Sequence, residues 1–203
     1  LRAGQYFTST ACNVHTYFIG TGDSKITVGP YVRAVNNEFG TIVVNKSGSG
    51  RVLLGSDVVM GIGNFSSGTQ YCPILKLQSG LVITSAYALI NLWANSNMLE
   101  GGNDSSYILG TMGSGMTTTG TFVTRRFPIG DSAGYRPVKL RCTTPGGTSS
   151  AFVKISAISG NSNTGASTTI NGIDKVSAVR YYKVKYLRGI DGAANMSFDQ
   201  FSP

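Results

Sequence analysis

Charge is what this chain has least of. Only 13% of its 203 residues are charged, against roughly 25% in an average soluble domain. Surface helices need Glu, Lys and Arg along their outer faces, so this scarcity argues against a helical protein. Acids are the rarer sign, with nine Asp and Glu in all, and Glu38 and Glu100 are the two glutamates. There is one histidine, His15. A His-rich metal site is therefore excluded, and a Ser-His-Asp triad would have to use His15. No Gly-x-Ser-x-Gly elbow occurs in a strand-to-helix context; the nearest stretch, Gly113–Met116, reads as a loop. The three cysteines, Cys12, Cys72 and Cys142, lack metal-ligand spacing, and an odd number cannot all pair within one chain. Both a single long-range disulfide and three reduced thiols fit this count. No run of 18 apolar residues exists, so no membrane-spanning helix is predicted. The chain starts Leu1-Arg2-Ala3, with neither an initiator Met nor a signal-peptide layout, and reads as a piece processed from a longer precursor.

What is present is small and polar, or apolar and branched. Gly, Ser, Thr and Asn account for 83 of the 203 residues, while hydrophobic residues make up 41%, enough for a core. Valines, isoleucines and aromatics recur along the whole length, which argues against disorder. An all-β protein is the class that fits. The net charge of +8 is uneven: eleven of the 17 Lys and Arg lie between Arg125 and Arg188, and six in the first 112 residues. Such a gradient points to an anionic partner or, more plainly, to outward strand positions that carry lysine and arginine for solubility.

Short apolar runs punctuated by small polar corners mark the first half. Residues 41–45, 52–54, 58–62, 74–77 and 81–84 read as strands, separated by turns such as 46–50 and 64–68. Brief strands at near-regular spacing predict a parallel β-solenoid-like region over 1–115, with inward aliphatics in a ladder, although no strict hexapeptide or nonapeptide repeat is present. The segment 86–95 has helix formers but is read as strand and turn. Past a boundary near 112–118, alternation becomes clearer. Val138, Leu140 and Cys142 share one face, and Lys139 and Arg141 the other. Phe152–Ile158 behaves similarly, and so does Tyr181–Tyr186, where Tyr182, Val184 and Tyr186 are predicted to face inward. These signals predict an antiparallel β-sandwich over 116–203.

The order of these runs resembles segments of large secreted surface proteins of Bacteroidota- and Ignavibacteria-like bacteria. Phe18–Thr27 and Phe39–Ser47 resemble a rung pair of that family, followed by 52–59, 75–82 and 105–110 in the family's order. Phe127–Gly130 with Tyr135–Leu140 is the most specific part, and Val176–Lys183 resembles the closing strand. The resemblance spans residues 18 to 188 and carries no catalytic motif. It implies a β-solenoid stalk followed by a β-sandwich, exported to the cell surface or beyond, with a structural or adhesive role. The cysteines and the basic tail depart from it.

Chemistry has few residues to use. Paired carboxylates act in glycoside hydrolysis, but Glu100 and Asp104 lie in a turn that reads as solvated. Asp23, Asp57, Asp131 and Asp174 are each isolated from other acids, so no calcium cluster is predicted. Gly20–Lys25 lacks Walker spacing. Pro128 and Pro137 belong at strand entrances, with Phe127 and Tyr135 covering the end of the core. Tyr181, Tyr182, Lys183, Lys185, Tyr186 and Arg188 interleave rings and cations, as nucleic-acid or sugar surfaces do. Alternation nevertheless assigns Tyr182 and Tyr186 to the core, and nucleic acid is not the expected partner. Asn45, Asn64, Asn103 and Asn195 head Asn-x-Ser sequons, and Asp131–Ala133 resembles an O-glycosylation acceptor; both are weak signals in so Ser-rich a chain.

The sequence thus predicts a non-enzymatic extracellular structural protein: a surface, matrix or filament subunit that self-associates through β-edges and solenoid ends. No catalytic, metal or cofactor residues are assigned. The alternative is a carbohydrate-binding or adhesin module for acidic glycans, using the basic C-terminal part and Trp93. A viral coat subunit ranks last, because no disordered basic arm is present.

Overall fold

A computed structural model describes residues 15–28, 39, 41–60, 74–91, 99–116, 123–143, 151–161, 179–188 and 197–202. Every regular element among them is a strand, so the all-β expectation holds. In order they are β1 (His15–Gly20), β2 (Ser24–Ile26), β3 (Thr41–Lys46), β4 (Arg51–Leu54), β5 (Val58–Met60), β6 (Ile74–Ser79), β7 (Leu81–Asn91), β8 (Leu99–Gly101) and β9 (Ile108–Met116). There follow β10 (Val123–Phe127), β11 (Ile129–Asp131), β12 (Gly134–Tyr135), β13 (Val138–Thr143), β14 (Ala151–Ser159), β15 (Arg180–Arg188) and β16 (Ser197–Ser202). No helix among the described residues is long and apolar enough to cross a membrane.

The strands form mixed sheets. One sheet runs β1-β3-β6-β8, every pair parallel. The largest sheet orders β12-β11-β9-β7-β4-β2, with β5 on β7 and the β14–β15 pair joined to β9. A third sheet, β10-β13-β16, is antiparallel. All pairs among β1–β9 are parallel. β11 extends that direction onto β9, whereas β14 joins β9 antiparallel. The large sheet is therefore continuous across residue 115.

Parallel register stacks like side chains on like. Val52 lies beside Val82, Val82 beside Ile108, and Ile108 beside Ile129; all four are buried. A second file runs Val58, Leu89, Met112 and Ile155. Phe18, Val44 and Leu77 form a third. Each such side chain stabilises the fold by about 1.5–3 kcal/mol on burial. Strand β3 is buried on both faces, and its unbroken Thr41–Val44 run is what two-sided burial in a parallel sheet requires.

Corners are where sequence reading and structure part. β7 does not stop at Thr84 but bends and continues to Asn91, which makes 86–91 strand as predicted; 92–95 lie outside the described residues. The bend falls at Ser85, whose φ is 52°, and the register with β9 shifts between Ile83 and Ala88. Thr84 holds the bend from inside: it is buried, and its hydroxyl accepts from the Thr111 N–H at 2.8 Å. Gly113–Met116, read as a loop, lies in β9, where small residues let Ile90 pack against the backbone. At the corner after β8, Gly101 has φ +81°, and a Cβ there would run into the Leu77 carbonyl oxygen.

Candidate functional site

Two basic side chains whose polarity suggests exposure, a lysine and an arginine, instead point inward. Lys46 shares parity with Ile42 and Val44, and only 2% of it is exposed. Its ammonium donates to the carbonyl oxygens of Ile19 at 2.9 Å and Gly22 at 2.7 Å, and to Ser24 Oγ at 2.7 Å. The Gly20–Lys25 corner thus turns acceptors onto a cation, the opposite of a phosphate cradle. Arg125 shares parity with Phe127 and is also buried, its Nε donating to the Gly115 carbonyl oxygen at 3.0 Å. The signal for both was their spacing from apolar neighbours.

Several cations of the basic tail are neutralised within the fold. Asp131 is buried at the β11–β12 turn. Its Oδ1 accepts the Ala133 N–H at 2.9 Å, and its Oδ2 stands 3.4 Å from Arg180 Nε. Arg136 Nε lies 4.0 Å from Oδ1. Burial pushes this carboxyl upward, but the Ser159 hydroxyl, the Ala133 N–H and the two guanidiniums outweigh it and hold it below its ordinary value. Lys154 reaches Asp57 at 3.4 Å, and Asp57 also accepts the Ala88 N–H at 2.8 Å. Asp23 pairs with Arg51 at 2.6 Å; that hydrogen bond is the largest influence lowering its pKa. Each acid that stood alone in sequence, Asp23, Asp57 and Asp131, is brought to a cation; Asp174 lies outside the described residues.

Other candidates separate. His15 is exposed, with Nδ1 3.3 Å from the Tyr17 hydroxyl. Glu100 pairs with Lys76 at 3.0 Å, and Asp104 is exposed on the corner after β8. Among the described residues, no three His, Cys, Asp or Glu gather as a metal site. Tyr182 and Tyr186 pack against the core as alternation predicts, while Lys183 and Lys185 are exposed. Val184 shares the tyrosines' face but stays 36% exposed, since β15 pairs only with β14 among the described residues. Trp93, Cys12, Cys72 and the side chain of Cys142 lie outside the described residues, as do Asn64, Asn195 and the side chain of Arg188.

The proline corner carries a groove. Pro128 and Pro137 sit just before β11 and β13, as strand entrances. Phe127 is fully buried, but Tyr135 does not close the core: it is half-buried beside Tyr107, ring centroids 5.8 Å apart. Its hydroxyl accepts from Arg126 Nη2 at 2.9 Å, and the same nitrogen donates to the Gly102 carbonyl oxygen at 3.1 Å. Tyr107 has its hydroxyl pKa raised, chiefly by burial and then by Asp131. An open groove of about 530 Å³ lies here, lined by Asn103, Asp104, Arg126, Tyr135, Pro137 and Lys139. A smaller one, about 350 Å³, lies over Ile83, Leu109 and Ala157, and among the described residues its one charged lining group is Asp131, already matched by two arginines. Compared with family models, with curated proteins and with solved structures, the chain matches none.

Proposed function

We propose that this chain is a non-enzymatic structural subunit of the cell exterior that associates with copies of itself through its sheet edges. In this reading β1–β9 wind as a solenoid and the strands from β10 onward form a sandwich against its end. The returns of the chain support the winding: His15 comes beside Thr41, Thr41 beside Ile74, and Leu75 beside Leu99, all parallel. The exterior location rests on the resemblance of residues 18 to 188 to secreted surface proteins.

The observation that carries self-association is β1. Among the described residues it pairs only with β3, and it exposes Tyr17 to 60% and Ile19 to 65%. An edge strand bearing exposed apolar side chains is a template for strand addition. The opposite end of the same sheet is β8, so β1 of one copy on β8 of the next extends the sheet head to tail. Such a contact is heterologous and does not close, so it builds a filament. Repulsion is small there, because residues 1–112 hold six Lys and Arg against five Asp and Glu.

Sedimentation velocity over about a hundredfold range of concentration tests this reading. The native chain sediments as a growing series of oligomers, and the double variant Tyr17→Lys/Ile19→Lys stays monomeric with unchanged circular dichroism. A native chain that remains monomeric throughout contradicts it.

A further inference from the structure

The β10–β13 pair places Arg126 directly opposite Lys139, both exposed. Like charges at directly opposed positions of an antiparallel pair repel. Elsewhere the fold relieves such a clash: Lys154 lies opposite Lys185, and Asp57 pairs with Lys154. Arg126 and Lys139 have no carboxylate partner of that kind among the described residues. Both open instead onto the groove of about 530 Å³, a volume in the range of small-ligand sites.

Arg126 is also oriented. One nitrogen, Nη2, is committed to Gly102 and Tyr135, which fixes the plane of the guanidinium and leaves its remaining donors for an acceptor outside the fold. The corner after β8 adds Asn103 and Asp104 to the lining: the Asn103 Oδ1 already accepts from the Ser105 N–H and hydroxyl, which leaves its Nδ2 to donate to a ligand hydroxyl, and the Asp104 carboxylate supplies acceptors. Two cations on the sheet side, an amide and a carboxylate on the corner side, and a phenol ring in the lining make a mixed surface. A ligand that satisfies it carries both an anion and several hydroxyls.

We propose that this groove binds an acidic oligosaccharide, its carboxylate or sulfate held between Arg126 and Lys139 and its hydroxyls by Asn103 and Asp104. A planar guanidinium beside an ammonium suits either anion. A nucleic-acid backbone fits less well, because it repeats its charge at every nucleotide and would set a phosphate against Asp104. The groove uses no residue of β1, so the monomeric Tyr17→Lys/Ile19→Lys variant retains it.

Isothermal titration calorimetry of the full chain tests the proposal with trigalacturonate, a heparin-derived tetrasaccharide, maltotriose and a thymidine hexanucleotide. At about 50 mM NaCl, at least one of the two acidic sugars binds at least about tenfold more tightly than maltotriose, and raising the salt weakens it. Which of them binds tells a carboxylate site from a sulfate site. Lys139→Gln weakens that binding about tenfold, in keeping with the loss of one charge-assisted contact. Asp104→Asn weakens it severalfold by removing an acceptor. Because Arg126→Gln also releases Tyr135 and Gly102, the exposed Lys139 carries the test. The proposal is overturned if neither acidic sugar saturates at millimolar concentration, or if Lys139→Gln leaves the affinity unchanged. It is equally overturned if the hexanucleotide binds more tightly than both and Asp104→Asn strengthens it.

Discussion

Replacing Lys46 by methionine keeps an unbranched apolar stem of four heavy atoms and removes the ammonium with its donors. Three contacts go: two to carbonyl oxygens and one to the Ser24 hydroxyl. A hydrogen bond from a charged group contributes about 1.5–3 kcal/mol, and three would suggest several kcal/mol. Two effects reduce that sum. The variant no longer desolvates an ammonium, and Ile19 and Gly22 are themselves exposed, so water reaches their carbonyls. The net loss is therefore about 2 kcal/mol. For a chain of about this length, 1 kcal/mol corresponds to roughly 2–4 °C, so Tm falls by about 4–8 °C. Urea denaturation followed by circular dichroism reads the same loss as a lower midpoint with unchanged slope. Lys183→Met, at an exposed position, serves as the control and shifts Tm by no more than about 1–2 °C. If Lys46→Met is as stable as the native chain, the ammonium does not bind the β1–β2 corner to β3.

Four further outcomes follow from the same contacts. Gly101→Ala must accept both a left-handed φ and overlap with the Leu77 carbonyl, whereas Gly20→Ala, at φ +80° with open space around it, meets the backbone strain alone; calorimetry shows the larger loss of stability for Gly101→Ala, at least about 2 kcal/mol in total. Leu77→Ala, in the file between Val44 and Gly101, costs about 2–5 kcal/mol by urea denaturation, and a loss under about 1 kcal/mol contradicts the stacking. Asp131→Asn leaves two guanidiniums facing an amide and costs about 3 kcal/mol at neutral pH. The Asp131 carboxyl is lowered in the fold, so its contribution is fully present above the unfolded value near 3.8 and disappears as pH falls through the lower folded value. A melting-temperature profile from pH 7 down to about pH 2 therefore shows the native chain and Asp131→Asn converging only below about pH 4, and parallel profiles refute the linkage.

Strand positions were legible where one physical signal acted alone. Residues 41–45 and 74–77 are apolar runs bounded by polar corners, and β3 and β6 occupy them. Val138–Cys142 and Tyr181–Tyr186 alternate, and β13 and β15 follow. Corners were harder to read. Ser85 takes a conformation that sequence assigns to glycine, so the run 81–84 ended too early, and the stretch 113–116 was read as loop although it is strand, with Gly113 packed under Ile90. The charges were the least legible. Asp57 meets Lys154 from 97 positions away, a contact that only the assembled sheets create. Arg126 and Lys139 oppose each other because β10 pairs with β13 across the inserted β11–β12 hairpin, a register no local pattern encodes. Lys46 and Arg125 were within reach, since each keeps the spacing of its buried neighbours; their polarity concealed them.

Self-association through the β1 edge is most directly tested by negative-stain electron microscopy of the native chain and the Tyr17→Lys/Ile19→Lys variant at several concentrations. Filaments that lengthen with concentration in the native chain and are missing from the variant are the predicted result. Dispersed single particles of the native chain at the highest concentration would contradict it.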